Sequence, residues 1–279
     1  MTMNLLFSIN ASFRSLLQEC VCSIVHRGGA AHYHAYVLHS DLTEVDQRAI
    51  TAACPPQVEF HFVVVEESLF AGFPEFKRYP RQIYYRLAAP LLLPKEIDRV
   101  LYLDVDTIVI NSLLPLYNAS FEGNLFMACT HTKKMLTKMN RLRLGIDCDT
   151  PYINTGVMMM DLAALRKEFS IEDVRRYAEE KKDVLLLPDQ DILTALYGNR
   201  VKLLDSMIYN LSDRTLNLYN ADPTNEKRDL AWVRAHSVVI HYFGRNNPWK
   251  ENYRGILDIF YYENKQSSDK GREAHETLH

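Results

Sequence analysis

The sequence contains no apolar run approaching the roughly 20 consecutive residues that a helical membrane span requires. It also lacks a basic segment followed by a long apolar stretch at its start. Met3-Asn4-Leu5-Leu6-Phe7-Ser8-Ile9 comes at once, so no signal peptide is expected. Neither charge is in strong surplus: 32 Lys and Arg stand against 35 Asp and Glu in 279 residues, a net of −3. That balance excludes the basic signature of a general nucleic-acid binder, and no nucleic-acid partner is expected. Cysteines are few and carry no C-x-x-C spacing: the five are Cys20, Cys22, Cys54, Cys129 and Cys148. On a helix, Cys20 and Cys22 point to nearly opposite faces, so reduced thiols and a cytosolic setting are expected. Asn10, Asn118 and Asn210 open glycosylation sequons, which in that setting are expected to be chance matches.

What is present suits a soluble domain. Apolar residues make up 47% of the chain and charged residues 24%, enough for a sizeable core under an ordinary surface. Short apolar runs alternate with helical patterns, the arrangement of a mostly parallel sheet covered by helices. Strands are predicted at 3–9, 35–38, 58–65, 99–103, 125–129, 157–160 and 238–241. A helix is predicted over 12–26, another opens at Thr43 with Asp46 three residues on as a weak capping box, and a short one over 81–89 stops at Pro90. Further helices are predicted over 171–181 and 189–196. The first hundred residues thus resemble a Rossmann-type half, whose ligands bind beyond the carboxyl ends of the strands, where Asn10, His39 and Asp104 fall. One α/β domain over residues 1–264 is expected, with 265–279 a disordered polar tail. The aromatic and aliphatic stretch 253–262 is read as a core helix rather than a membrane-surface element, because its flanks are not notably basic.

The most informative segment runs from Arg99 to Ile110: an apolar strand delivers Asp104 and Asp106, one residue apart, to the ligand edge. Strand alternation predicts both carboxylates on one side. Such a pair repels unless a cation lies between, and hard oxygen donors select Mg²⁺ or Mn²⁺. The same D-x-D-x-T pattern fits the nucleophile motif of haloacid-dehalogenase-type phosphatases. That class, however, places it on a first strand and adds a paired-aspartate motif absent from Pro188-Asp189-Gln190-Asp191. A second apolar strand ends in His241, a suitable third ligand for Mn²⁺. Gly244 follows, allowing close backbone approach, with Arg245, Asn246, Asn247 and Lys250 as donors for a diphosphate. Of Asp189 and Asp191, at the start of a helix, one is expected to cap it and the other to join Gln190 at substrate.

Two further patterns are discounted. His275-Glu276-Thr277-Leu278-His279 spells the zinc-protease H-E-x-x-H, but at the end of a polar tail. His32-Tyr33-His34 places two imidazoles on one strand face without a carboxylate partner, and solvated histidines are expected there.

In order and spacing, F-S-I-N at 7–10, Tyr84-Tyr85-Arg86-Leu87, L-Y-L-D-V-D at 101–106, Y-I-N-T-G at 152–156, P-D-Q-D-I-L at 188–193 and H-Y-F-G-x-x-x-P-W at 241–249 resemble glycosyltransferase family 8. These are retaining enzymes that include bacterial lipooligosaccharide α-galactosyltransferases and glycogenin-type enzymes. The resemblance covers roughly residues 3–260 and implies the GT-A nucleotide-diphospho-sugar transferase fold. It implies a UDP-hexose donor (galactose or glucose) and a glycan or lipid-linked saccharide acceptor. The location it suggests is cytoplasmic, with at most peripheral contact with the inner face of the cell membrane. It implies a Mn²⁺ site (Mg²⁺ as the alternative) made by Asp104, Asp106 and His241, with Asp104 also facing the ribose. Ser8 and Asn10 match uracil and ribose positions; Arg86, Asn154, Thr155, Asp189 and Gln190 surround the donor sugar; Gly244, Asn247 and Lys250 lie at the pyrophosphate. Three positions depart from the family pattern: Asn10 replaces an Asp, Asn247 the phosphate-binding Lys, and His131 an acceptor-side Asp. The expected mechanism is same-face attack by the acceptor hydroxyl, Gln190 stabilising positive charge, with Asp189 as the alternative nucleophile. A non-catalytic UDP-sugar binding protein is the reading from another class.

Overall fold

The computed structural model describes residues 1–76, 80–130, 134–147 and 149–276. Nine strands occur among them: β1 (Thr2–Ser8), β2 (His32–His39), β3 (Val58–Val64), β4 (Arg99–Leu103), β5 (Thr107–Val109), β6 (Phe126–Cys129), β7 (Asn154–Asp161), β8 (Val201–Leu204) and β9 (Val239–His241). Seven form one sheet in the order β3-β2-β1-β4-β7-β6-β8, while β5 and β9 pair antiparallel in a second, smaller sheet. β1 to β4 run parallel and β7 enters antiparallel beside β4, so the sheet is mixed. The central strands are apolar on both faces, as expected of a sheet with helices on either side. Leu6, Tyr36 and Leu38 line one core with Tyr84, Leu87 and Met158. Leu5, Phe7, Ala35 and Val37 line the other with Leu17, Val21 and Ile24 of the helix Arg14–Arg27. That helix separates its two thiols: Cys20 Sγ lies 3.4 Å from Thr107 Oγ1, and Cys22 Sγ 4.0 Å from the Ala53 carbonyl.

The capping box at Thr43 is complete, with Asp46 Oδ2 accepting from the Thr43 backbone and Thr43 Oγ1 from the Asp46 backbone. The predicted helix at 81–89 forms as a 3-10 segment, Arg81–Ala88, followed by one turn, Ala89–Leu92, that Pro90 starts rather than stops. β5 and β8 form where no strand is predicted. A third core lies over the small sheet, where Ile108 and Ile240 meet Leu211, Val233, Leu257, Phe260 and Tyr261. Of the expected core helix over 253–262 only 258–262 is helical; Phe260 and Tyr261 are buried there and Leu257 just ahead of it, while Ile256, Ile259 and Tyr262 face solvent.

Where the sequence suggests a polar tail from residue 265, the helix Asp258–Glu276 runs through Lys265 and beyond. Its start is anchored by the apolar contacts just described and by Asn264 Nδ2, which donates to the Glu19 carbonyl at 3.0 Å and to its carboxylate at 3.2 Å. Once nucleated, a helix propagates through polar sequence that has no amphipathic rhythm of its own. Among the described residues no helix is long and apolar enough to cross a membrane. His131, Cys148 and the end of the H-E-x-x-H stretch lie outside the described residues.

Candidate active site

Asp104 follows the last residue of β4, at the carboxyl edge of the large sheet. The sequence predicts that strand alternation puts the carboxylates of Asp104 and Asp106 on one side; they do converge, but through a turn rather than along a strand. Residues 104–106 leave β4 in a turn, closed by Thr107 Oγ1 donating to the Asp104 carbonyl at 2.8 Å, and the chain enters the small sheet. There Thr107 stands opposite His241. His241 Nε2 lies 3.0 Å from Asp106 Oδ1 and 3.7 Å from Asp104 Oδ2. The three side chains each place a ligand atom within 4.8 Å of the others.

The hydrogen bonds around His241 fix its chemistry. Asn210, fully buried, donates from Nδ2 to Asn154 Oδ1 at 2.8 Å, so its Oδ1 faces His241 Nδ1, also at 2.8 Å, and accepts from it. With the Nδ1 proton held there, neutral His241 presents its Nε2 lone pair to two carboxylates. Three lone-pair donors aimed at one point need a proton or a cation between them. Without a cation, burial would lower the His241 pKa, but the charges of Asp106 and Asp104 outweigh it and hold the imidazolium above its ordinary value. Gly156 keeps the space open: a Cβ there would lie 2.2 Å from His241 Cε1 and 2.7 Å from Asp104 Oδ2. Two carboxylates, one imidazole and a cradle that only glycine leaves free fit a Mn²⁺ or Mg²⁺ ion.

Arg86 organises the other side. Its Nη1 lies 3.0 Å from Asp104 Oδ1, its Nε 3.3 Å from Asp189 Oδ2, and its guanidinium packs 4.3 Å from the centroid of the Tyr102 ring. Burial opposes ionised Asp104, but Arg86 and His241 overcome it and bring the carboxyl below its ordinary range. For Asp189 burial prevails over Arg86 and over the bond from Thr155 Oγ1 at 2.8 Å, and the carboxyl is held above its ordinary range. Burial and the carboxylate of Asp104 push the Tyr102 hydroxyl far up, so it stays protonated and donates to Asp104 Oδ1 at 2.7 Å. Asn154 Nδ2 donates to Gln190 Oε1 at 3.3 Å, which joins Gln190 to the chain Asn154–Asn210–His241.

The structure therefore brings Arg86, Asp104, Asp106, Asn154, Thr155, Asp189, Gln190 and His241 together. Ser8 Oγ, at the end of β1, donates to the Gln82 carbonyl at 2.7 Å, and Asn10 Oδ1 accepts from the Ser12 backbone at 3.0 Å. Asn247 is turned inward: it is buried, and its Nδ2 donates to the Tyr242 carbonyl at 2.6 Å rather than facing the surface with Arg245 and Lys250. Gly244 has φ +93° and open space around it, so its value is backbone conformation. Asp191 is not a helix cap: fully buried, it accepts from the backbone of Leu186 and Leu187, ahead of the helix Pro188–Tyr197, and from Arg143 and Tyr152. Sequence reasoning missed Asn210, Tyr102 and the space-keeping part of Gly156. Asn210 carried only a sequon, and nothing local ties it to a histidine 31 residues away.

A family model described as glycosyl transferase family 8 matches residues 4–253. The lipopolysaccharide 1,2-glucosyltransferase of Escherichia coli K12 is 21% identical over 248 residues, 88% of this chain and 72% of the relative. The lipopolysaccharide 1,3-galactosyltransferase of Salmonella typhimurium is 23% identical over 264 residues, 88% of this chain and 70% of the relative. The structure is similar to that of the galactosyltransferase LgtC solved with donor and acceptor sugar analogs. The TM-score is 0.80 at 24% identity, covering 95% of this chain and 96% of that one. The fold is of the GT-A type, a mixed sheet flanked by helices.

Proposed function

The chain belongs to glycosyl transferase family 8, and from that premise we propose that it is a retaining, metal-dependent hexosyltransferase. Its donor would be UDP-galactose or UDP-glucose and its acceptor a lipid-linked saccharide of the lipopolysaccharide class. The names of the two enteric relatives support that acceptor class. The observation that carries the reading is the aim of Asp104, Asp106 and His241 at one point, with Gln190 tied to the same hydrogen-bond chain. These three side chains would hold Mn²⁺, or Mg²⁺, which supplies neutralisation of charge on a departing diphosphate. Asp104, whose Oδ1 is already held by Tyr102 and Arg86, orients its other oxygen toward the site. Lys250 and Arg245, exposed after Gly244, are the donors for phosphate oxygens, since Asn247 is spent on Tyr242. Ser8 and Asn10, at the end of β1, would border the base and ribose.

Gln190 lies where positive charge develops on the sugar, and its amide oxygen is a poor nucleophile but a good stabiliser of an oxocarbenium-like carbon. Asp189 has one oxygen shared between Thr155 and Arg86 and is held toward its neutral form by burial, which suits positioning better than attack. Same-face attack by the acceptor hydroxyl follows; trapping a glycosylated Asp189 would replace it with a two-step route. The phosphatase reading loses its footing, because Asp104 follows a fourth strand rather than a first and the chain belongs to another family.

The test is UDP release from a panel of UDP-hexoses, with Mn²⁺ and with EDTA. Slow release from one donor, abolished by EDTA, is expected. Asp106→Ala should lose this activity, and a variant keeping half of it would sink the metal assignment. Saturable UDP binding without turnover of any donor, with or without acceptor, would mean a binding protein instead.

A further inference from the structure

Away from the carboxyl ends of the strands, β2 and β3 bring a second group of ligand-type side chains together. In their parallel register His34 stands opposite Glu59, and Tyr36 opposite His61. His34, Glu59 and His61 therefore share one face, the two imidazoles meeting on the diagonal. His34 Nδ1 lies 3.0 Å from His61 Nε2; Glu59 Oε2 lies 3.4 Å from His34 Nδ1, and Glu59 Oε1 3.5 Å from His61 Nε2. The sequence expectation of solvated histidines considered only His32 with His34. The carboxylate and the second imidazole come instead from the neighbouring strand, which no spacing within one strand reveals.

We propose that His34, Glu59 and His61 form a second metal site, of the transition-metal class represented by Zn²⁺, on the face of the sheet near its β3 edge. The donor set is two nitrogens and a carboxylate, the three-ligand set that leaves one position of a tetrahedral ion open. Donors bound at about 2.1 Å on a tetrahedral ion lie roughly 3.4 Å apart. Both carboxylate–imidazole separations match that edge, and the imidazoles need to part by a few tenths of an ångström. His61 is held for the purpose: its ring stacks on Tyr36, with centroids 4.7 Å apart and planes at 16°. The imidazole-rich set favours Zn²⁺, whereas the oxygen-rich set of Asp104 and Asp106 favours Mn²⁺ or Mg²⁺, so the two centres select different ions. They are also distant. His34 is the third residue of β2, and the five residues from there to His39 at the carboxyl end span about 16 Å. The ligand side chains are between a third and two-thirds exposed, so an ion reaches them directly from solvent. Because β3 is the terminal strand of the sheet, a bound ion would pin it to β2.

The experiment titrates the chelator-stripped full chain with Zn²⁺ by calorimetry, and with Co²⁺ by the visible absorption of a four-coordinate ion. It uses the wild type, Asp106→Ala, His61→Ala and Glu59→Gln. Wild type and Asp106→Ala should each retain a tight Zn²⁺ site and the Co²⁺ signal. His61→Ala and Glu59→Gln should weaken Zn²⁺ at least tenfold and lose the signal. Glu59→Gln changes a largely exposed side chain, so it reports on the site even where His61→Ala disturbs the strand. Zn²⁺ affinity unchanged in both variants, or binding abolished by Asp106→Ala, would leave the trio as a hydrogen-bonded cluster and overturn the assignment.

Discussion

Asn210 shows how much of the proposed metal site would rest on a residue outside its three ligands. Its amide holds the Nδ1 proton of His241 on one side and Asn154 on the other, so it sets both the tautomer of the imidazole and the direction of Gln190's partner. Replacing Asn210 by Ala removes the acceptor and frees the ring to rotate. Mn²⁺ affinity should fall about 10- to 100-fold, as for other outer-shell partners of metal-bound histidines. Measured as the Mn²⁺ concentration for half-maximal UDP release, the loss should be recovered largely at saturating Mn²⁺. A drop in maximal rate with unchanged Mn²⁺ dependence would assign Asn210 to Gln190 rather than to His241. At this scale the sequence exposed Asp104, Asp106 and His241 because the two aspartates interrupt an apolar run and the histidine ends an apolar strand. It hid Asn210 because an amide in an irregular segment leaves no pattern, and it hid the inward turn of Asn247 because that depends on the position of a single carbonyl.

Among the elements, the helices beside the site are tied by charge as well as by packing. Arg143, on the helix Lys134–Leu144, grips Asp191 with two nitrogens at 2.7 and 2.8 Å, and Asp191 fixes the approach to the helix that carries Asp189 and Gln190. Arg143→Ala leaves a fully buried carboxylate with only Tyr152 and two backbone donors. Urea melts should then show about 3 kcal/mol lost, the lower end for breaking a buried pair. Exposed charges behave more modestly. Arg234 donates to both oxygens of Glu263, at 2.8 and 2.9 Å, joining the helix Leu230–His236 to the C-terminal one, and holds the Glu263 carboxyl below its ordinary value. A depressed acid contributes stability above its unfolded pKa and loses it as pH falls through the folded one. The small gap in melting temperature between wild type and Arg234→Gln should therefore persist at neutral pH and close below about pH 4. A gap that widens on acidification would contradict the pairing. Elements with a strong period, such as β1, β4 and the helix Arg14–Arg27, were readable in advance. β5 and the C-terminal helix were not: one continues the apolar run of 99–110 beyond the turn at 104–106, and the other takes its order from contacts with Glu19 and the small-sheet core rather than from its own sequence.

On the scale of the whole molecule, the chain passes from a seven-stranded sheet to a two-stranded one in the three residues that carry both aspartates. Asp104 follows a strand of the first sheet and His241 completes a strand of the second, so anything gripped by both makes the opening of one sheet depend on the other. Amide protons measure that dependence. Those of Thr107–Val109 and Val239–His241 that exchange by local opening should exchange with deuterium more slowly once Mn²⁺ and UDP are added, by up to 1 + [L]/Kd. The edge strand Val58–Val64 should keep its rate. If all segments slowed together, the two sheets would open as one cooperative unit. If only the small sheet slows, the crossing at Asp104 is a latch, and substrate occupancy sets how often the lesser sheet comes free.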